Sequence, residues 1–339
     1  MRAGRKGLFV VCSWIVAMTA TALVGEGVLR LVSAYRLIYN IEMVRYAREL
    51  KQRDPSGEVS HVHRPNASAR LMGTPIALNS LGDRGPELAA RTEPTKRVLV
   101  LGSSVTMGWG VPFPEVFSSV LETRLNRERP FGKDYRFEFV NAGIGNYNTT
   151  FQSVLFKRQY PLVKPDLVIL HYFIRDAKPI GMGRDSLVLK HSYLAAFLYN
   201  RVQLVLLGRR PSLIEHYSQL YSDSSAPWAE TRAIVAEMKQ TLDRDHVPFL
   251  IMIVPDIHDL SRTSPYGALY TRMQTAFAAS GAATLNTYPA FQQRFGEREQ
   301  ELWIQDDDPH PNSRGHALMA EVAYRYLVDH NPLGLAGSR

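Results

Sequence analysis

Apolar residues along the chain fall into three textures. The first is a run without charge from Gly7 to Val24, preceded by Arg2, Arg5 and Lys6 and closed by Glu26 and Arg30. It is about the length a helix needs to cross the hydrocarbon layer of a bilayer. Ala20-Thr21-Ala22 resembles a signal-peptide cleavage site. The run is nevertheless longer than a usual signal core, and Gly27–Val32 continues it helically, so an uncleaved anchor is the favoured reading. Basic residues on the short N-terminal tail predict that the tail stays inside and the rest is exported. Arg30, Arg36, Arg45, Arg48, Lys51 and Arg53 count against that orientation, but a lone segment at the very N-terminus still directs export.

The second texture covers residues 31–90. A helical pattern runs from Leu31 to Leu50, then a polar loop holds Pro55, Gly57, Pro65 and Asn66, and Asn79–Pro86 is rich in turn formers. This is a stalk, either a flexible linker or an arm packed on the main domain. The third begins near Lys96, where short apolar runs alternate with helical periods. Arg97–Leu101, Phe137–Val140, Asp166–Leu170, Pro248–Val254 and a weaker Ala283–Leu285 read as buried strands, and Phe113–Leu125, Thr150–Tyr160, Trp228–Leu242 and Ser313–Leu327 as helices. Strand alternating with helix predicts an α/β fold, a parallel sheet covered on both faces. Ser192–Leu207 is apolar but breaks the alternation, and reads as an inserted core helix or a lid. The organisation expected is an anchor over 1–30, a stalk or arm over 31–90 and a catalytic domain over 91–332.

Composition adds little to this and excludes some classes. With 45% hydrophobic and 21% charged residues in a 339-residue chain, there is ample material for a full core. The formal charge of +8 is spread over scattered Lys and Arg without interleaved aromatics, so a solvated basic surface is expected and nucleic-acid binding is not. The single cysteine, Cys12, rules out an internal disulfide and a cysteine metal cluster, and is read as a buried apolar filler.

In a parallel sheet, ligands bind beyond the carboxyl ends of the strands, so the residues after each run carry the candidate chemistry. Gly102-Ser103-Ser104 follows the first, placing Ser104 at a strand-to-helix turn where a hydroxyl is exposed and backbone N–H groups point outward. Asn141–Thr149 follows the second; glycine allows close approach of the backbone, making Gly145 and its neighbour Asn146 candidates for holding an oxyanion or substrate. After the third come Arg175 and Asp176, which could also simply pair with each other. Near the end stands Asp307-Asp308-Pro309-His310-Pro311, just before the last helix. A serine hydroxyl needs a base to take its proton, and the base needs a carboxylate to orient it. His310, stiffened by a proline on each side, is the candidate base; Asp307 and Asp308 are both near enough in sequence to be its partner. His316 is read as structural.

Together these blocks resemble the SGNH/GDSL hydrolase superfamily, in particular a bacterial membrane-anchored branch, given the early membrane helix and the arm motif Asn79–Gly85. Gly102-Ser103-Ser104 stands where that family has Gly-Asp-Ser, Gly145 lies in the block that supplies its glycine, and Asp307-Asp308-Pro309-His310 matches its Asp-x-x-His block. The resemblance implies a three-layer flavodoxin-like fold, no metal or other cofactor, Asp307 as the triad carboxylate, and hydrolysis or transfer of acyl groups. Ser103 replaces the family aspartate, and Arg175 replaces the family asparagine that donates to the oxyanion. The function expected is a serine esterase at the bacterial inner membrane, single-pass, its catalytic domain outside the cytoplasm, acting on an acylated envelope molecule such as a carbohydrate. An O-acyltransferase with the same triad and a non-catalytic polysaccharide-binding scaffold are the alternatives.

Overall fold

The computed structural model describes residues 2–91, 94–182, 186–207 and 212–336. In chain order these form α1 (Arg2–Tyr35), α2 (Tyr39–Glu49), β1 (Lys51–Gln52), β2 (Val62–His63), β3 (Ser68–Leu71), β4 (Thr74–Ala77), β5 (Thr95–Gly102), α3 (Ser104–Met107), α4 (Phe117–Glu128), β6 (Arg136–Gly143), α5 (Thr149–Val163) and β7 (Leu167–Phe173). There follow α6 (Leu187–His191), α7 (Tyr193–Leu207), α8 (Leu213–Leu220), α9 (Ala226–Arg244), β8 (Phe249–Val254), α10 (Tyr266–Ala278), β9 (Ala283–Asn286), α11 (Tyr288–Phe295), β10 (Trp303–Gln305), β11 (Asp308–Pro311) and α12 (Ser313–His330). The chain divides into two compact units, one of residues 1–49 with 184–210, the other of 50–183 with 211–339.

The larger unit is built on a five-stranded parallel sheet in the order β6-β5-β7-β8-β9. Numbered by first appearance, that is the 2-1-3-4-5 order of flavodoxin-like folds, so the α/β expectation holds. The first connection runs left across the sheet and the others run right. Right-handed crossovers therefore put their helices on opposite faces, and α4 packs with α12 while α5 packs with α9. Covered on both faces, the inner strands are buried along most of their length: every residue of Phe249–Val254 is buried, as are Arg97–Gly102. All five strands and four of the helices fall where the periodicity put them. Asn148 caps α5 through the Phe151 amide, and Asn312 caps α12 through those of Arg314 and Gly315.

Residues 51–90 are ordered within this unit. Strands β3 and β4 form a hairpin whose two turn residues, Met72 and Gly73, have φ of 47° and 71°, the left-handed pair of a type I′ turn. Asp54 accepts from the Arg158 guanidinium at 2.8 Å, tying the segment to α5. In the Asn79–Gly85 motif, the Asn79 side chain accepts from the amides of Leu81 and Asp83, closing a tight turn through Gly82 (φ 80°).

In the smaller unit, Gly7–Tyr35 is long and apolar enough to cross a membrane, a test that a signal sequence near the N-terminus also passes. Its residues from Leu8 to Val24 are exposed, and Cys12 with them, so the expected burial of that cysteine is corrected. The apolar segment 192–207 forms α7 in this unit and is not part of the sheet's core.

Candidate active site

The interior strand β5 ends at Gly102, paired in register with Gly143 of β6 and His171 of β7. The chain must turn here into α3 in very little space. A Cβ on Gly102 would lie 2.8 Å from the His171 carbonyl oxygen, and one on Gly143 would collide with the Met107 amide nitrogen. These two glycines let the nucleophile turn sit directly against the strand ends, with Ser104 as the first residue of α3.

The Ser104 hydroxyl lies 2.9 Å from His310 Nε2. His310 Nδ1 is 2.5 Å from Asp308 Oδ1, so this nitrogen carries the ring proton and Nε2 is left to accept. Asp308 is fully buried; its Oδ2 accepts from Trp109 Nε1 at 2.8 Å and its Oδ1 also accepts from the His310 amide at 3.2 Å. The hairpin β10–β11 carries both residues of the pair. Asp307, which the family pattern favoured, is exposed and accepts from Gln305 Nε2. Of the two candidate carboxylates, the fold brings Asp308 to the imidazole and leaves Asp307 outside. Strand geometry explains the choice: alternate residues share a face, so positions 308 and 310 of β11 point the same way and 307 does not. His316 is buried and accepts from the Phe117 amide through Nδ1; burial depresses its pKa to about 3, so it stays neutral.

Both turns beside Ser104 are held from below by the segment that precedes the sheet. Arg84, 2% exposed, donates to the carbonyls of Met107 (2.8 Å), Gly108 (2.6 Å) and Val111 (2.7 Å), which close the nucleophile turn. Its own amide donates to the Asn141 carbonyl of β6. On the other side, Lys51 Nζ donates to the Gly145 carbonyl at 2.7 Å, and His61 Nε2 meets the same oxygen at 3.0 Å. Burial lowers the Lys51 pKa to about 7 and that of His61 to about 3. Because His61 is neutral and Ser60 Oγ lies 2.8 Å from its Nδ1, the imidazole donates from Nε2. In a trans peptide the C=O and the following N–H point opposite ways, so pinning the Gly145 carbonyl inward turns the Asn146 amide outward. Asn146 itself is exposed, with φ 66°.

Arg175 lies exposed on the loop after β7. Its neighbour Asp176 is buried and bonded instead to Gln152 Nε2 (2.8 Å) and the Phe173 amide (3.2 Å), with its pKa raised by burial to about 7. The positive field of Arg175 reaches His258, beyond β8. His258 bonds Asp256 through Nδ1, which raises its pKa, and packs against Trp303 of β10. The Asp256–His258 pair was not singled out from the sequence, although it follows a strand, as the rule for parallel sheets asks. Trp109, Lys51 and His61 were also missed, since each acts on a partner far along the chain and carries no local pattern; Arg84 stands in the Asn79–Gly85 motif, whose tie to the nucleophile turn the sequence does not show.

The chain belongs to the GDSL-like lipase/acylhydrolase family, whose match covers residues 100–318. Several solved structures are similar to it. TesA is 17% identical, with 70% of this chain and 99% of that one covered and a TM-score of 0.45. A two-domain esterase, CEX, active on acetylated mannans and co-crystallised with mannopentaose, is 16% identical; 72% of this chain and 51% of that one are covered, with a TM-score of 0.45. A mutant of Axe2, an acetyl-xylooligosaccharide esterase from Geobacillus Stearmophilus, is 14% identical over 72% of this chain and 97% of that one, with a TM-score of 0.44. No curated protein matches the chain.

Proposed function

We propose that this member of the family is a serine ester hydrolase that removes acyl groups from an envelope carbohydrate, with Ser104 as nucleophile, His310 as base and Asp308 as the carboxylate that orients it. The observation that carries the reading is the continuous relay from the Ser104 hydroxyl through both nitrogens of His310 to Asp308. His310 Nε2 takes the hydroxyl proton as the serine oxygen attacks the ester carbon. The imidazolium formed is stabilised by Asp308, and the tetrahedral oxyanion by the amides of Ser104 and the Gly145–Asn146 turn. Collapse expels the alcohol, which receives the proton from Nε2. A water molecule, deprotonated by the same nitrogen, then releases the acid and frees Ser104. The exposed side chains of Arg175 and Asn146 would contact the substrate. Helix α1 would hold the enzyme at the bacterial inner membrane with the hydrolase unit outside the cytoplasm, where envelope polymers are met.

The test is acetate release from O-acetylated polysaccharide by the full chain in detergent. Wild type is expected to release acetate and Ser104→Ala not to. Transfer of the acetyl group to an added sugar hydroxyl, in place of release, would make the chain an acyltransferase. Polysaccharide binding without release, unchanged in Ser104→Ala, would make it a scaffold and refute the proposal.

A further inference from the structure

The alternation of strand and helix leaves α7 without a role, and the smaller unit supplies one. The helix has fifteen residues, of which only Asn200, Arg201 and Gln203 are neither apolar nor aromatic. Its inner face is accounted for: Tyr193 and Ala196 are buried, and Asn200 bonds Asn40 of α2 at 2.7 Å. Its outer face is not. Leu198, Val202 and Leu206, spaced four apart on one stripe, are 52%, 56% and 49% exposed, with Tyr199 beside them and Leu187 and Val188 of α6 also exposed. Large apolar side chains exposed together along one stripe mark a contact.

What covers it is indicated by two independent features. The first is attachment. Glu26 of α1 accepts from Ser192 Oγ (2.9 Å) and from the amides of Tyr193 (3.1 Å) and Leu194 (2.8 Å), so the N-terminus of α7 is fastened directly to the candidate membrane span. Arg30 of α1 adds a bond to the His191 carbonyl, and Gly25 leaves just enough space for Leu194 to pack on it. The second is charge. Leaving out Arg2, Arg5 and Lys6, which the anchor reading puts on the other side of the span, the smaller unit holds nine Lys and Arg against four Asp and Glu, a net +5, whereas the hydrolase unit holds 28 of each. A strongly basic unit bearing exposed apolar helices complements an anionic lipid surface.

We propose that α7 is a second membrane-seated element, lying in the headgroup layer of an anionic bilayer with its Leu198-Val202-Leu206 stripe in the acyl boundary. At ~1.5 Å per residue the helix is about 22 Å long, short of the ~30 Å hydrocarbon core, so it lies along the interface rather than crossing. The inference rests on the reading of α1 as an anchor.

The native Cys12 allows the two to be tested separately. The full chain is reconstituted in phosphatidylcholine vesicles containing phosphatidylglycerol, with an environment-sensitive fluorophore on Cys12, or on Val202→Cys or Leu198→Cys in a Cys12→Ser background. Cys12 is expected to be quenched by nitroxides placed deep in the acyl chains. The labels on α7 are expected to lose most of their emission to nitroxides near the headgroups, little to deep ones and little to aqueous iodide, and to lose that protection when phosphatidylglycerol is left out. Labels on α7 that iodide quenches freely, while Cys12 stays deep, would overturn the proposal and leave the anchor standing. Labels shielded from iodide and lipid nitroxides alike would mean that protein covers the stripe, as in a second copy of the chain, and would overturn it equally. A Cys12 label reached by iodide, or lost by cleavage, would remove the anchor and the proposal with it.

Discussion

Replacing Asp308 by asparagine keeps the shape of the side chain and removes its charge. In the native site the carboxylate is fully buried and accepts three hydrogen bonds, from His310 Nδ1, Trp109 Nε1 and the His310 amide. An amide nitrogen cannot serve there. Turned toward Trp109, it opposes a donor with a donor. Turned toward His310, it makes Nδ1 an acceptor and moves the ring proton to Nε2, the nitrogen that must receive the Ser104 proton. Either way the imidazolium also loses its counter-charge. The loss expected in kcat is about 10⁴-fold, the size seen for such a change in a serine triad, or ~5.5 kcal/mol of transition-state stabilisation. KM should change little, since Asp308 reaches no solvent. Asp307→Asn is the control: exposed and bonded only to Gln305, it should leave kcat within about threefold. Hydrolysis of p-nitrophenyl acetate by the two variants measures both. An Asp307→Asn enzyme crippled by orders of magnitude, beside an active Asp308→Asn, would refute the assignment.

Other outcomes follow from the supports around the triad. Arg84→Met leaves three buried carbonyls without their donor, at ~1–3 kcal/mol each, so thermal unfolding should show a large loss of stability, and Arg84→Lys should recover part of it. Gly102→Ala would drive its Cβ against Thr106 and the His171 carbonyl; overpacking of ~1–3 kcal/mol should appear in denaturant midpoints together with slower ester turnover. Acid should destabilise the fold. Burial keeps His61, His63, His171 and His316 neutral, with pKa values below 6.5, so they take up protons only on unfolding. Asp83 and Asp176, raised to about 7, are already protonated in the fold and offset part of this. The balance, roughly two protons gained on unfolding, predicts a loss of ~3 kcal/mol per pH unit between about pH 6 and 4.5. Denaturant titrations that show stability flat or rising over that window would contradict it.

Much of this was legible along the chain because it depends on local periodicity. The apolar runs that mark β5, β7 and β8 are continuous, since the inside of a parallel sheet is covered on both faces, and the helices between them keep one apolar stripe. Ser104 and His310 could be paired in advance because each follows a local pattern and the topology puts strand ends on one edge. What the sequence did not disclose is set by geometry across distance. Two adjacent aspartates look equivalent until β11 fixes which shares a face with His310. Residues 31–90 read as a stalk, either a linker or a packed arm, and the pattern does not show that Lys51, His61 and Arg84 within them reach the Gly145 and Ser104 turns, contacts 94, 84 and 23 residues apart. The interest of α7 likewise lies in its attachment to α1, some 166 residues earlier, which no window of sequence contains.

The most direct test of the account is labelling of the full chain with a fluorophosphonate, which reacts with a serine only when a neighbouring base has made it nucleophilic. Wild type should be labelled once, at Ser104, as read by peptide mass, and His310→Ala should lose the label while remaining folded. Labelling that persists in Ser104→Ala, or a folded wild type that is never labelled, would contradict the account.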